Sequence, residues 1–474
     1  MRVLLALSPP GLPQVNAIGV NGWVLLFTLG LALVTGVIFG LAPALDASRA
    51  QLNDVLKEGS VRAGTGPRQR RLRGALVITE VAFAVVLLIG AGLLIGSFAR
   101  LRDVNPGFNP DHALEMQVAL SAGRYSTTPP VANFFRQVLP RIQGLPGVVA
   151  AAATSDVPLG PCPDLLFAIV GRPAPRANDS PDAFYHAVTP GFVAALGLHL
   201  LRGRAFTDAD DAHSQPVVII NQAAVRTWWP KQNPVGQAIW IGRGSPQFAE
   251  PAPRVIVGVV NDVKQQNLEN REREPAMYLP LPQVPSDVTA TLVRLLPPHL
   301  LIRTAGDPLA LAGAVERQVR AVDSQQPLFN VTSLRQQIYA SLAPQQFNML
   351  LLGIFAALAL VLAGVGIYGV ISYSVTQRHQ EIGIRMALGA DPPAVLRLVV
   401  GEGLRLALLG VAAGLAGAFL LTRLMASLLF GVRASDPATF ALTAAVLAAI
   451  AVFASYWPAR RAAALSPLRA LRHE

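Results

Sequence analysis

The chain is short of charge and almost without cysteine. Only 14% of its 474 residues are charged, against 52% hydrophobic. A soluble domain carries about 25% charged residues, so this deficit argues against an ordinary soluble protein. A single cysteine, Cys162, excludes an intramolecular disulfide, and one thiol cannot build a zinc site alone. It is read as having no function. No G-x-x-x-x-G-K-[ST] run occurs, and no G-x-G-x-x-G opens a helix after a strand, so the chain is not expected to bind nucleotide. H-E-x-x-H, CxxC and G-x-S-x-G are also missing. The seven His residues are scattered; His112, His186, His199 and His213 show no metal-ligand spacing. Neither a metal nor a cofactor is therefore expected, nor any catalytic residue. No secretory signal is read, because the apolar run Val3 to Leu7 is too short for one.

Long apolar runs are what the sequence has. At 1.5 Å per residue, about 20 apolar residues cross a bilayer core of about 30 Å. Five runs are expected to span, at about 22–42, 74–98, 347–375, 398–424 and 438–457. Basic residues cluster between them. The segments 43–73, 376–397 and 458–474 hold 14 basic against 6 acidic side chains, +8 of the chain's +11. These three segments fall on one side if all five runs cross. By the positive-inside rule that side is the cytoplasm. The tail 1–21 and residues 100–344 are then extracytoplasmic, and the carboxyl terminus is cytoplasmic. Basic residues that follow membrane topology argue for the lipid bilayer as partner, with no nucleic acid.

Residues 100–344 are too long for an unstructured loop. Ala113–Leu120, Leu165–Val170, Val217–Ile220, Val255–Val260 and Leu300–Thr304 read as strands. Val131–Gln143, Gln222–Trp229 and Leu309–Val322 read as helices, with Asn221 as N-cap of the second. Ala113–Leu120, Val131–Gln143 and Val148–Thr154 suggest a βαβ unit. The fold expected is an α-helical membrane protein with a large extracytoplasmic α+β domain, for which two lobes are one arrangement. Trp228 and Trp229 are expected in its core.

Within the spans, Gly36/Gly40, Gly92/Gly96 and Gly410/Gly414 have the spacing that lets helices approach closely. Glu80 and Glu402 lie near cytoplasmic ends, and Glu402 can pair with Arg405 at i,i+3. Gln380-Glu381-Ile382-Gly383-Ile384-Arg385-Met386-Ala387-Leu388-Gly389-Ala390 reads as a short amphipathic interfacial helix. Glu381 and Arg385 form an i,i+4 pair on it. Two readings stay open: an interfacial loop, or a dock for a cytoplasmic partner.

That stretch resembles the signature of the FtsX-like permeases, which include the macrolide exporter and lipoprotein-release permeases. Leu93 to Phe98, Leu200 to Thr207, Ala223 to Gly236, Val257 to Val263 with Tyr278-Leu279-Pro280, and Leu428 to Val432 are similar too. The similarity extends over about residues 74–474, and 100–344 resembles a periplasmic core domain of the macrolide exporter type. Pro43-Ala44-Leu45-Asp46-Ala47 also resembles Pro458-Ala459-Arg460-Arg461-Ala462. This internal repeat points to the duplicated, acidobacterial-type permeases. The first span then closes an earlier copy most of which the chain lacks.

The resemblance implies an inner-membrane permease of an ABC-type system for efflux or export. A separate cytoplasmic ATPase would dock on the chain, so the chain itself is not expected to be an enzyme. It implies Glu381, Gly383, Arg385 and Gly389 as ATPase-coupling positions. A second permease copy or a homodimer, and a periplasmic adaptor, are the further partners implied. The alternative is a truncated, non-transporting remnant or a regulatory protein that acts through its outer domain.

Overall fold

The computed structural model describes residues 21–34, 67–121, 123–172, 181–242, 248, 250–270, 274–388, 391–424 and 429–463. In chain order the first elements are helices α1 (Gly22–Val34) and α2 (Pro67–Arg102), strand β1 (Ala113–Val118), helix α3 (Thr128–Gln143) and strands β2 (Val148–Thr154), β3 (Asp164–Ile169) and β4 (Asp182–Val188). Next come α4 (Phe192–Leu196), β5 (Leu200–Gly203), β6 (Val217–Asn221), α5 (Gln222–Trp228), β7 (Ala238–Ile241), β8 (Arg254–Val260) and β9 (Ala276–Pro280). They are followed by α6 (Ser286–Leu295), β10 (His299–Thr304), α7 (Ala312–Val322), β11 (Leu328–Ser333) and α8 (Leu334–Ser341). Four helices close the chain: α9 (Ala343–Gln377), α10 (His379–Ala387), α11 (Pro392–Leu424) and α12 (Pro437–Ala463). The chain divides into two compact units, residues 103–343 and the remainder.

In the helical unit, α2, α9, α11 and α12 are long and apolar enough to cross a membrane. They run past the limits expected from hydropathy alone, because flanking polar residues continue the backbone ladder beyond the apolar core. The first expected span is described only as Gly22–Val34; its remainder, with Gly36 and Gly40, lies outside the described residues. Val77, Val81, Val85, Ile89 and Leu93 recur every four residues on α2 and are buried. They meet Ala407, Val411 and Ala418 of α11 in one apolar cluster. The outer faces carry Leu358, Leu362, Leu408, Leu420, Leu442 and Phe453, all exposed. Such a surface suits lipid and would aggregate in water.

The helices alternate in direction. At one end Arg73 of α2 stacks on Tyr373 of α9 with 4.0 Å from guanidinium carbon to ring centre. At the other, the Ser97 hydroxyl accepts from the Phe430 N–H in the α11–α12 connection at 2.8 Å.

In the other unit, all 11 strands belong to one sheet. The expected βαβ unit is present in split form. β10 lies between β1 and β2 and is antiparallel to both, so β1 and β2 are parallel without touching. The five expected strands and three expected helices are all found, with ends that differ by a few residues. Missed were β4, β5, β7, β9 and β11. Six strands close into a ring in the order β4-β3-β7-β8-β6-β9, completed by the parallel β9–β4 pair. Closure leaves these strands without free edges. One registered pair, Thr154 with Val188, links the ring to the split unit, so the two lobes share a continuous sheet.

Alternation along the ring strands decides what fills it. Leu165, Phe167, Ile169, Ala183, Tyr185, Ala187, Val218, Ile220, Ile239, Ile241, Ile256, Met277 and Leu279 join one buried cluster. The alternate residues Phe184, Val188, Ile219, Val260 and Tyr278 join another. Helix α3 covers the split unit with Val131, Phe134, Phe135, Val138 and Ile142, a helical-period stripe.

Asn221 caps α5 as expected, its side-chain oxygen accepting from Ala224 N–H at 3.1 Å. The same oxygen accepts from Ala276 N–H at 3.0 Å, which ties β6 and α5 to β9. Trp229 is 1% exposed and donates to Gln237 at 2.7 Å; Trp228 packs edge-on against Phe167. Trp229 is a core residue of this domain, and Trp228 is partly buried against that core.

Candidate coupling helix and the buried Asp-Cys-His cluster

The amphipathic stretch forms α10, a nine-residue helix that follows α9 after a break at Arg378. One side is anchored. Ile382 is 4% exposed and packs into the bundle's apolar cluster, and Met386 leans against it. Ile384 and Leu388 face outward at 45% and 82% exposure. Glu381 and Arg385 pair at 2.6 Å, both about half exposed. Gly383 lies in the middle of this helix; Gly389 lies outside the described residues.

Glu402 has a partner that its i,i+3 spacing to Arg405 does not reveal. Arg378 donates to its carboxylate at 3.2 Å. Arg378 stands at the α9–α10 break, so the pair ties that break to α11. Ser374 adds a longer contact to the same oxygen, at 3.5 Å. Local spacing shows only one turn of one helix; the helix-to-helix pair needs the fold. Ile371, Val375, Ile382, Leu398 and Val399 close around this polar knot.

The glycines sort by surroundings. A Cβ on Gly410 would meet Val81 at 2.6 Å, and one on Gly414 would meet Val85 at 2.6 Å and the Ala82 carbonyl oxygen at 2.8 Å. Gly92 faces Thr439 of α12, where a Cβ would come within 2.8 Å. Gly96 has ordinary room, 3.7 Å from Val432. Two close approaches went unread in the sequence: Gly403 against Ser455, and Gly366 against the Glu80 carboxylate.

A second cluster was also not legible. Asp156, Cys162 and His186 offer ligand-type atoms within 4.8 Å of one another. Asp156 and Cys162 share the β2–β3 loop, and His186 sits on β4. Irregular spacing hides them; only the β4–β3 pairing brings them together. Burial, reinforced by the Asp156 carboxylate, pushes the Cys162 thiol well up. At neutral pH the thiol is protonated, which makes it a poor nucleophile.

Two family models match the chain. A MacB-like periplasmic core domain matches residues 75–322, and an FtsX-like permease C-terminal domain matches 353–467. The chain belongs to the family with a MacB-like periplasmic core domain, here followed by an FtsX-like permease C-terminal domain. It is a multi-pass membrane protein with a periplasmic domain.

Among curated relatives, it is 30% identical over 315 residues to the macrolide export ATP-binding/permease protein MacB of Agrobacterium fabrum. That alignment covers 63% of this chain and 45% of the relative. It is 28% identical over 306 residues to the pyoverdine export ATP-binding/permease protein PvdT of Pseudomonas putida, covering 63% of this chain and 44% of the relative. The chain thus spans less than half the length of these relatives. The periplasmic region of MacB from Actinobacillus actinomycetemcomitans is a similar solved structure, at 12% identity. It covers 50% of this chain and 95% of that one, with a TM-score of 0.31.

Proposed function

We propose that this permease transmits ATP-driven movement from a separate cytoplasmic ATPase to its periplasmic domain, as part of an export system. The observation that carries this reading is α10. It is rooted in the bundle by Ile382, while Ile384, Leu388 and the Glu381–Arg385 pair face outward. A partner that pushes on the exposed side moves a helix already tied to α11 through Arg378 and Glu402. Helices α2 and α9 are 36 and 35 residues long, and their outer ends lead directly into and out of the periplasmic domain. Helices of this length are stiff levers of about 50 Å, well beyond the membrane core.

In this reading Glu381, Gly383, Arg385 and Gly389 form the docking stretch. The basic end of the bundle faces the cytoplasm, and the amino terminus lies outside. This reading places the nucleotide chemistry on a separate ATPase. A second permease copy or homodimer supplies the other half of a two-fold machine, and a periplasmic adaptor meets the outer domain.

The test exchanges the two charges, Glu381→Arg with Arg385→Glu. The pair within the helix is retained, while the charge pattern shown to a partner is inverted. An exposed i,i+4 pair is worth about 0.3–0.5 kcal/mol, so folding should hardly change. Co-purification of the ATPase should be lost while membrane insertion is kept. Unchanged co-purification would place the dock elsewhere, and ATP hydrolysis by the purified chain alone would overturn the assignment to a separate chain.

A further inference from the structure

The buried Asp156–Cys162–His186 cluster has no part in the movement described above. Asp156 and His186 side chains are each 2% exposed, and His186 Nδ1 lies 2.5 Å from Asp156 Oδ1. Cys162 Sγ lies 3.7 Å from Nδ1 and 3.8 Å from Nε2. Near-equality of these two distances means that the thiol is not in line with Nε2 alone. A nucleophile–base relay is therefore poorly served.

The same distances suit a shared ion. Zinc binds sulfur at about 2.3 Å and nitrogen or oxygen at about 2.0–2.2 Å. Tetrahedral angles then set sulfur about 3.6 Å from nitrogen, and nitrogen about 3.3 Å from oxygen. The sulfur–Nδ1 separation already matches. The Asp156–His186 contact, now 2.5 Å, has to open by about 0.8 Å, as it would when an ion replaces the proton between them.

The surroundings are those of a prepared site. The Ser155 hydroxyl donates to Asp156 Oδ2 at 2.7 Å, an outer partner of the kind that orients a ligating carboxylate. His186 stacks on Tyr278 with ring centres 4.9 Å apart. The loop that bears two of the ligands is stiff, with proline at 158, 161 and 163, and Leu159 N–H donates to the Gln265 carbonyl at 2.7 Å. Gln265 is 1% exposed, and its amide oxygen and nitrogen both lack a hydrogen-bond partner. A buried amide left this way is costly.

We infer that Asp156, Cys162 and His186 bind one divalent transition-metal ion, zinc by the chemistry of their donors, with the fourth position left to water. The mixed oxygen, sulfur and nitrogen set selects against magnesium and calcium, which take oxygen ligands. The ion would pin the β2–β3 loop to β4, where the ring meets the split unit.

Cys162 is the chain's only cysteine, so any thiolate–metal signal belongs to it. The full chain would be purified in detergent without a histidine tag, stripped with chelator and titrated with Zn2+ and Co2+. One equivalent should bind. Co2+ should give a thiolate-to-cobalt charge-transfer band in the wild type, and Zn2+ should raise the thermal midpoint. The band should vanish in Cys162→Ser, and His186→Gln should weaken Zn2+ binding by roughly 100-fold or more. A wild-type Co2+ complex without the thiolate band would overturn the site without any variant. Zn2+ affinity unchanged in Cys162→Ser would overturn it as well.

Discussion

The bundle and the periplasmic domain both depend on glycine, for different physical reasons. In the bundle, Gly410 and Gly414 have ordinary helical backbones and are needed for what lies opposite, the Val81 and Val85 side chains and the Ile78 and Ala82 carbonyls. In the periplasmic domain, Gly203 has a φ of +72°, and the Val257 carbonyl oxygen and Gly258 Cα lie where its side chain would be. The first use is close approach between helices in lipid, where water does not drive association and packing must. The second is a turn that L-residues resist. One unit is therefore held by the fit of small residues. The other is held by sheet closure, caps and buried polar pairs.

Substitutions can break that comparison in order of size. The largest effect is expected from Gly203→Ala. Strained backbone and a clash with main-chain atoms together should cost more than about 2 kcal/mol, read as a lower thermal midpoint of the periplasmic domain.

Next is Gly414→Ala. In an open helix this change gains about 1 kcal/mol. Here the added methyl meets a carbonyl oxygen that cannot move, so the sign should reverse to a loss of about 1–3 kcal/mol. Gly369 has nothing within 4 Å, so Gly369→Ala is the control and should be neutral or stabilising. Thermal unfolding of both variants in detergent would show whether close approach, rather than glycine content, holds the bundle.

Smaller still is Asp210→Asn. Arg204 donates to both Asp210 oxygens at 2.7 Å, and this pairing holds the carboxyl below its usual range, with Thr207 N–H adding to it. Arg204 is half exposed, so solvent screening limits the loss to about 1–2 kcal/mol. Because the folded pKa is depressed, the contribution is complete above about pH 4, the ordinary carboxylate value, and is lost as pH falls through the lower folded value. Asp323 follows the same sign, held low chiefly by the Tyr125 hydroxyl. The wild type should lose stability on acidification below about pH 4, and Asp210→Asn should lose less over that range. Equal acid sensitivity in both would show that this pair does not contribute.

Much of this architecture was legible in the sequence, and the exceptions share a cause. The long helices announce themselves by apolar length, and strands such as Val217–Asn221 by β-branched runs. Strands β5 and β7 have only four residues each, and β4 contains Asp182, Tyr185 and His186 within an otherwise apolar run. Their identity comes from partners far along the chain rather than from local pattern. The βαβ reading was right in its elements and incomplete in its topology, since β10 enters from 145 or more residues downstream to part β1 from β2. The same holds at the sites. The Glu381–Arg385 pair is local and could be read from spacing. Arg378 with Glu402, and His186 with Cys162, are joined only by tertiary contact.

The central claim is that an ATPase docked at α10 moves the periplasmic domain. Labels carried by non-canonical residues at the exposed positions Arg136, on α3, and Arg433, at the outer end of the bundle, would report their separation in proteoliposomes with the ATPase. The account predicts that ATP shifts this distance in the wild type and leaves it unmoved when Glu381 and Arg385 are exchanged. A wild-type distance that ignores ATP, or a shift that survives the exchange, would contradict it.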